Sequence, residues 1–268
     1  MICAEALAEA REAISASEAR LLLQETLGIS AATLAAHPER ELRLDDAARF
    51  LALVRRRAAG EPIAYLVGRR EFYGREFAVS PAVLIPRPET ELLVDIGQAK
   101  LATCERPRIL DLGTGSGCLA VTLALATGGE VVAADLSAEA LAVARDNAER
   151  LNADVRFVAS DWYSAIDGEF DLIVANPPYV ANGDPHLSDG DLRFEPATAL
   201  ASGSDGLTAL RVIVAGARRF LRPGGWLLVE HGYDQGAAAV ALFTAAGFQD
   251  VEQYRDLAGI VRVTTAAN

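Results

Sequence analysis

From Arg106 onward the chain repeats one pattern, a short apolar run followed by a helix-length segment, and that repetition leaves few folds open. Strands are predicted over Arg108–Leu112, Glu130–Asp135, Asp154–Ala159, Asp171–Ala175 and Trp226–Glu230, with helices between them. Strands joined by helices run parallel, and the helices cover both faces of the sheet they form. After a helix near Gly236–Ala246, the segments Phe248–Arg255 and Gly259–Thr264 follow each other across a short turn. That turn is too short for a crossover, so the last two strands form an antiparallel hairpin. The expectation is an α/β fold: a doubly wound, mostly parallel sheet ending in an antiparallel hairpin.

The chain ahead of this pattern has a different texture. Ser17, Glu18, Ala19 and Leu21 to Leu23, with Gly28 behind them, read as a capped helix. In Asp45 to Gly60 the apolar residues Ala47, Phe50, Leu51 and Val54 fall at helical spacing, with Arg55 to Arg57 in the last turn. Residues 1–70 are therefore expected to form a small helical bundle. Phe72, Phe77 and Val79 alternate around Gly74, which predicts a β-hairpin linker over residues 71–86. A helix over Glu89–Ala102 opens the main domain, residues 87–268, with Pro88 near its first position and Glu89 and Glu91 in its first turn.

Charge and cysteine content narrow the function classes. Acidic residues outnumber basic ones 37 to 25, a net charge of −12, which disfavours tight docking on a phosphate backbone. Cys3, Cys104 and Cys118 make an odd set with no metal-ligand spacing, so no metal site is expected and a reducing cytoplasmic location fits. Glu5, Glu9 and Glu12 at the start are unlike a signal peptide, and no apolar run approaches the roughly 20 residues of a membrane span.

The first predicted strand ends in Asp111-Leu112-Gly113-Thr114-Gly115-Ser116-Gly117-Cys118 and runs into a helix. Glycines there let the backbone approach a ligand closely, and the helix start presents unpaired N–H groups. The GxGxG register differs from the dinucleotide GxGxxG pattern, which disfavours a nicotinamide enzyme. Asp135, closing the second strand, has two readings: an acceptor for the ribose hydroxyls of an adenosine cofactor, or a helix cap in competition with Ser137. Asp161 and Trp162 follow the third strand, either as acceptor and wall for an adenine ring or as an ordinary surface turn.

The fourth strand ends in Asn176-Pro177-Pro178-Tyr179, beside the glycine loop if the sheet is doubly wound. An amide or aryl amine is a weak nucleophile because its lone pair is delocalised. Asn176 and the Pro177 carbonyl can accept from its two N–H groups and aim the lone pair at a sulfonium methyl, with Tyr179 as a flat face beside it. Two prolines, Pro177 and Pro178, hold the carbonyl direction. The plainer reading is a proline turn that ends a strand. No nucleophile triad competes, because His37, His186 and His231 have no evident partners, and His231 is expected to cap or pack.

These residues resemble the protein glutamine-N5 methyltransferases that modify peptide chain release factors, the HemK/PrmC group. The resemblance extends to Pro62–Gly68, Glu71–Gly74, the stretch Ile85-Pro86-Arg87-Pro88-Glu89-Thr90-Glu91, Phe194-Glu195-Pro196, Asp205-Gly206-Leu207 and Arg255–Gly259 with Arg262. It departs at Ala201–Ser204, where the family has a more glycine-rich turn, and at Arg193. The resemblance implies a Rossmann-like S-adenosylmethionine methyltransferase fold. It also implies methyl transfer to the glutamine of the Gly-Gly-Gln motif of class 1 release factors, leaving S-adenosylhomocysteine. The implied cofactor contacts are Gly113 to Gly117, Asp135, Trp162 and Asn176, the implied substrate contacts are Asn176 to Tyr179, and the helical part recognises the partner. Arg87 and Glu89 are either a solvated pair at a helix start or part of a cover over the cofactor. A ribosomal protein as substrate, and DNA adenine as a more distant one, remain the alternatives. Neither direct nucleic-acid contact nor membrane contact is expected.

Overall fold

The computed structural model describes residues 1–188 and 190–268, and the chain divides into two compact units, Met1–Arg69 and Arg70–Asn268. The first unit holds five helices: α1 (Cys3–Ala10), α2 (Ala16–Leu27), α3 (Ala31–Ala36), α4 (Leu44–Ala58) and α5 (Ile63–Val67). They close around a core of their own in which Leu22, Leu23 and Phe50 are fully buried. The cap of α2 is Ser15 rather than the expected Ser17. Ser15 Oγ accepts from the Glu18 N–H, and the Glu18 carboxylate accepts from the Ser15 N–H, a reciprocal box that Ser17 stands too close to Glu18 to make. Arg57 donates to Glu18 at 2.7 Å and Arg69 makes a two-point ion pair with Glu25, fastening α2 to the segment that ends the unit.

The second unit opens with strands β1 (Arg69–Phe72, its first residue belonging to the helical unit) and β2 (Arg75–Ala78), paired as a hairpin. Tyr73 and Gly74 turn it, both at positive φ. A 3-10 turn over Pro88–Thr90, with Pro88 in its first positions, then leads into α6 (Glu91–Lys100). From there strand and helix alternate: β3 (Arg108–Leu112), α7 (Cys118–Thr127), β4 (Glu130–Asp135), α8 (Ala138–Leu151), β5 (Val155–Ala159) and β6 (Phe170–Ala175). A longer excursion carries α9 (Ala197–Leu200) and α10 (Thr208–Ala217) before β7 (Leu221–Glu230), α11 (Gly236–Ala245), β8 (Gln249–Arg255) and β9 (Val261–Ala267).

The seven-stranded sheet has the order β5-β4-β3-β6-β7-β9-β8, parallel from β5 to β7 and antiparallel at β9 and β8. Alternate residues of one strand feed two cores. Ile109, Leu172, Val174 and Leu228 pack with α6 and α7 on one face; Leu110, Ile173, Leu227 and Val229 pack with α10 and α11 on the other. β7 starts five residues earlier than the apolar run predicts, because Pro223-Gly224-Gly225 interrupts its hydrophobic pattern without ending the strand. A register irregularity against Phe170–Leu172 absorbs the extra residues, and a Cβ at Gly225 would stand 2.9 Å from the Phe170 carbonyl oxygen. Among the described residues no helix is long and apolar enough to cross a membrane.

Two buried polar residues hold this scaffold at the edge where the site forms. Asn147, on α8 and fully buried, accepts from the Ala78 N–H at 2.7 Å and donates to the carbonyls of Ala78 and Ser116, both at 2.9 Å. Asn147→Leu leaves those groups unpaired and is expected to cost about 2–4 kcal/mol of stability in urea unfolding. An unchanged midpoint would remove this role. Asp111, also fully buried, has its carboxyl pushed up to about 7, chiefly by burial. A folded-state value above the unfolded one binds the proton more tightly, so the contribution is favourable at low pH and lost as pH rises from about 4 through 7. Asp111→Asn should therefore gain stability over the native protein at pH 8 but not at pH 4, read as denaturation midpoints. An equal difference at both would show that Asp111 carries no such linkage.

Candidate active site

The site is built where β3, β4 and β6 reach the carboxyl edge of the sheet. Behind β3 the backbone passes through Gly113, Gly115 and Gly117 at φ of 74°, 56° and 80°, a left-handed region that disfavours side chains. At Gly117 the requirement is also steric: a Cβ would lie 3.0 Å from that of Ala144 on α8. The N–H groups of Gly113 and Thr114 both donate to the Ala134 carbonyl, at 2.8 and 2.9 Å, and Gly115 N–H donates to Asp135 Oδ2 at 2.8 Å. Beneath the loop Thr114 Oγ1 donates to Asp111 Oδ2 at 2.6 Å. Asp111 supports the turn from below and is absent from the cavity wall, whereas Gly113 to Ser116 line it. Gly117 caps α7 behind them.

The question of which residue caps α8 has a clear answer. Ser137 Oγ accepts from the Ala140 N–H at 3.1 Å and is the cap, while Asp135 Oδ1 takes the Ser137 N–H at 2.9 Å. Each Asp135 oxygen thus has one backbone donor and a lone pair to spare, and the residue lines the cavity. Asp161 and Trp162 line it as well. The Asp161 carboxylate accepts no hydrogen bond among the described residues. Trp162 sits at φ 48°, an uncommon backbone state for a large residue, in a turn held by Ser160 Oγ donating to its carbonyl at 2.8 Å. That turn brings the indole against the glycine loop, with Cζ3 3.7 Å from where a Gly113 Cβ would be.

From β6 the chain delivers Asn176 and Pro178 to the same cavity. Asn176 Nδ2 donates to Thr90 Oγ1 at 2.9 Å, and Asn176 Oδ1 is buried without a partner among the described residues. Pro177 and Tyr179 do not line the cavity. The Tyr179 hydroxyl is pushed up to about 12, first by burial and then by Glu230. Its carbonyl accepts from Gln235 Nε2 at 3.0 Å, and only a glycine fits at 206, where a Cβ would fall 2.3 Å from that oxygen.

Further wall comes from residues between Ala82 and Thr90, Pro86 and Arg87 among them, and from Pro196, Thr198 and Ala199. Arg87 is not one half of a solvated pair with Glu89. Its guanidinium is bonded to Glu195, whose side chain is fully buried and whose second oxygen accepts the Ile85 N–H at 3.0 Å. A buried carboxylate is tolerable only with such partners, and these two join the Ile85–Arg87 segment to the one before α9. Sequence reasoning quoted Glu195 and Thr90 within their motifs without assigning either a role, and passed over Glu230; their partners are distant in the chain. His231 packs: Nδ1 donates to the Gly232 carbonyl at 3.0 Å, Nε2 accepts from Thr264 Oγ1 at 2.9 Å, and burial lowers its basicity. The enclosed volume is about 390 Å³, in the range of small-molecule pockets.

Two family models match the chain, one described as PrmC N-terminal domain over residues 2–68 and one as Methyltransferase small domain over residues 88–192. A release factor glutamine methyltransferase of Bordetella pertussis is 52% identical over 250 residues, covering 92% of this chain and 93% of the relative. One from Burkholderia pseudomallei is 51% identical over 260 residues, covering 94% and 91%. Among solved structures, a methyltransferase from Pyrococcus furiosus shares the fold with a TM-score of 0.54 at 21% identity, over 80% of this chain and 95% of that one. With half of all positions identical across nearly its whole length, the chain belongs to the release factor glutamine methyltransferase family.

Proposed function

We propose that the protein transfers a methyl group from S-adenosylmethionine to the side-chain amide nitrogen, N5, of the glutamine in the Gly-Gly-Gln motif of class 1 peptide chain release factors. The observation that carries this reading is Asn176 Oδ1, a buried acceptor with no protein partner, on a cavity shared with the glycine loop and Asp135. A buried acceptor left unsatisfied is costly, and a substrate N–H relieves it.

The cofactor is S-adenosylmethionine, and when bound it supplies an electrophilic methyl on a sulfonium. The residues fit it by their chemistry. Asp135 has spare lone pairs for ribose hydroxyls, Trp162 and Leu136 offer apolar surface to an adenine ring, and Asp161 has a free carboxylate for its amine. The N–H groups of Gly113, Thr114 and Gly115 are taken by Ala134 and Asp135, so what the glycine loop offers the cofactor is a close approach of the backbone.

The glutamine amide needs positioning more than activation, because its nitrogen lone pair is delocalised. Asn176 Oδ1 accepts one N–H, and the Pro177 carbonyl, fixed between two prolines, accepts the other. Pro178 and Tyr179 complete the substrate-binding segment, Tyr179 from behind the cavity wall. Every residue of the cavity lies between Ala82 and Ala199, so the helical unit Met1–Arg69 is free to serve partner recognition, the role we assign it. An adenine amine or a ribosomal protein's glutamine poses the same geometric problem; the net charge of −12 supports a protein over a nucleic acid.

Incubation with S-adenosylmethionine and a purified class 1 release factor should place one methyl on the Gly-Gly-Gln glutamine, mapped by peptide mass spectrometry. Transfer to a ribosomal protein or to DNA instead would overturn the substrate. Asn176→Ala should cut turnover roughly 100-fold or more with cofactor binding retained. Near-native turnover would sink the orientation mechanism. Asp135→Ala should weaken cofactor binding by about 1.5–3 kcal/mol in calorimetry, the scale of a charged hydrogen bond. Unchanged affinity would take Asp135 out of the site.

A further inference from the structure

We propose that Gln235 is a positioning residue for methyl transfer: by holding the Tyr179 carbonyl it sets the direction of the Asn176–Tyr179 segment. The inference rests on the methyl-transfer reading above, in which the Pro177 carbonyl accepts one N–H of the substrate amide. It adds what keeps that carbonyl in place.

The segment cannot be held in its middle. Pro177 and Pro178 have no N–H to donate, and their carbonyls make no hydrogen bond among the described residues. Each proline fixes its own φ and keeps the residue before it extended, so the direction of the Pro177 carbonyl follows from where the two ends are anchored. The first anchor is the sheet, where Ala175 pairs with Leu112 and Val229, together with Asn176 Nδ2 donating to Thr90 Oγ1 at 2.9 Å. The second is the peptide unit between Tyr179 and Val180. Its N–H, from Val180, donates to the Leu200 carbonyl at 2.9 Å, and its carbonyl, from Tyr179, accepts from Gln235 Nε2 at 3.0 Å. Only with both bonds is that unit held from both sides.

Gln235 is built for this bond. It is buried, in the turn between β7 and α11, and its Oε1 accepts from the Gly232 N–H at 2.9 Å. A backbone N–H only donates and a backbone carbonyl only accepts, so the amide fits one way round, with its nitrogen toward Tyr179. Reversal would set two donors together at Gly232 and two acceptors together at Tyr179. Glycines flank both ends: a Cβ at Gly206 would lie 2.7 Å from Gln235 Nε2, and one at Gly232 would lie 3.1 Å from Oε1. The Asp205-Gly206-Leu207 stretch thereby gains a reason for its glycine. The side chain makes no capping bond to α11, although Gln235 stands at the cap position, so starting that helix does not account for it. Its bonds serve the turn that carries it and the segment that follows β6.

Gln235→Met keeps the length of the side chain and removes both donor and acceptor. Single-turnover methyl transfer at saturating cofactor and release factor should fall roughly 10-fold in this variant, with the affinity for each unchanged in calorimetry. Hydrogen exchange should quicken at the Val180 N–H, while that of Leu110 in the centre of the sheet keeps its protection. A native rate would overturn the proposal. So would a slowed rate with Val180 exchange unchanged, because the loss would then not pass through the Tyr179–Val180 unit. Should Gln235→Met fail to fold, Gly206→Ala presses on the same carbonyl with the amide still present, and the same two readouts decide.

If the native protein transfers no methyl to the glutamine, the functional reading fails instead. Exchange at Val180 then tests the anchor by itself, and equal exchange in the native protein and Gln235→Met would overturn it.

Discussion

Leu112 lies opposite Ala175 across the β3–β6 pair, and the chain leaves the sheet at both places side by side. That single register sets the distance between Gly113, which begins the glycine loop, and Asn176, which begins the proline segment. β3 and β6 are far apart in sequence, and the connections from them diverge to opposite halves of the sheet. A crevice therefore opens between the two exits, as it does wherever a doubly wound sheet reverses its strand order. A slip of one residue would carry the strand's alternating side chains to the wrong core. Ile109 and Leu110 of one strand, like Leu172 and Ile173 of the other, are each committed to opposite faces, so hydrophobic packing on both sides enforces the register that builds the site.

Around that crevice the molecule buries polar groups that stability alone would not select. Asp111 under the glycine loop, Glu195 behind Arg87 and Glu230 at the end of β7 are carboxyl groups with little or no exposure. The first two are each tied to a segment that has to be held still: Thr114 to Asp111, and Ile85 and Arg87 to Glu195. Desolvating a carboxyl is expensive, and the expense appears in the upward shift of Asp111 and Glu230 to about 7. The stability lost there is offset by the two extended hydrophobic cores, and what Asp111 and Glu195 secure is a fixed loop and a fixed cavity wall.

Much of the fold was legible because its signals are local. The five parallel strands follow from apolar runs bounded by helices, and the terminal hairpin follows from a turn too short to cross over. Where the reading slipped, a local signal was ambiguous. Ser15 and Ser17 are both good caps, and only the position of Glu18 three residues after Ser15 distinguishes them. Pro223-Gly224-Gly225 looks like a strand's end and is a bulge within one. The site was legible in part for the same reason. Gly113 to Ser116, Asp135, Asp161, Trp162, Asn176 and Pro178 come together on one cavity, each standing next to a strand end or a helix start. Asp111, at the end of β3, is buried beneath the loop, and Pro177 and Tyr179 contribute no lining to the cavity.

By itself the sequence determined the order of strands and helices, the glycine loop, the proline segment and the family to which they belong, because hydrophobic period, turn chemistry and short motifs are properties of neighbours along the chain. Only the tertiary structure decided which polar side chains share a buried space. Arg87 and Glu195 meet across more than a hundred residues, Asn147 holds Ala78, and Thr90 accepts from Asn176. No periodicity marks such pairs, since their energy depends on a low dielectric that exists only once the sheet has closed around them.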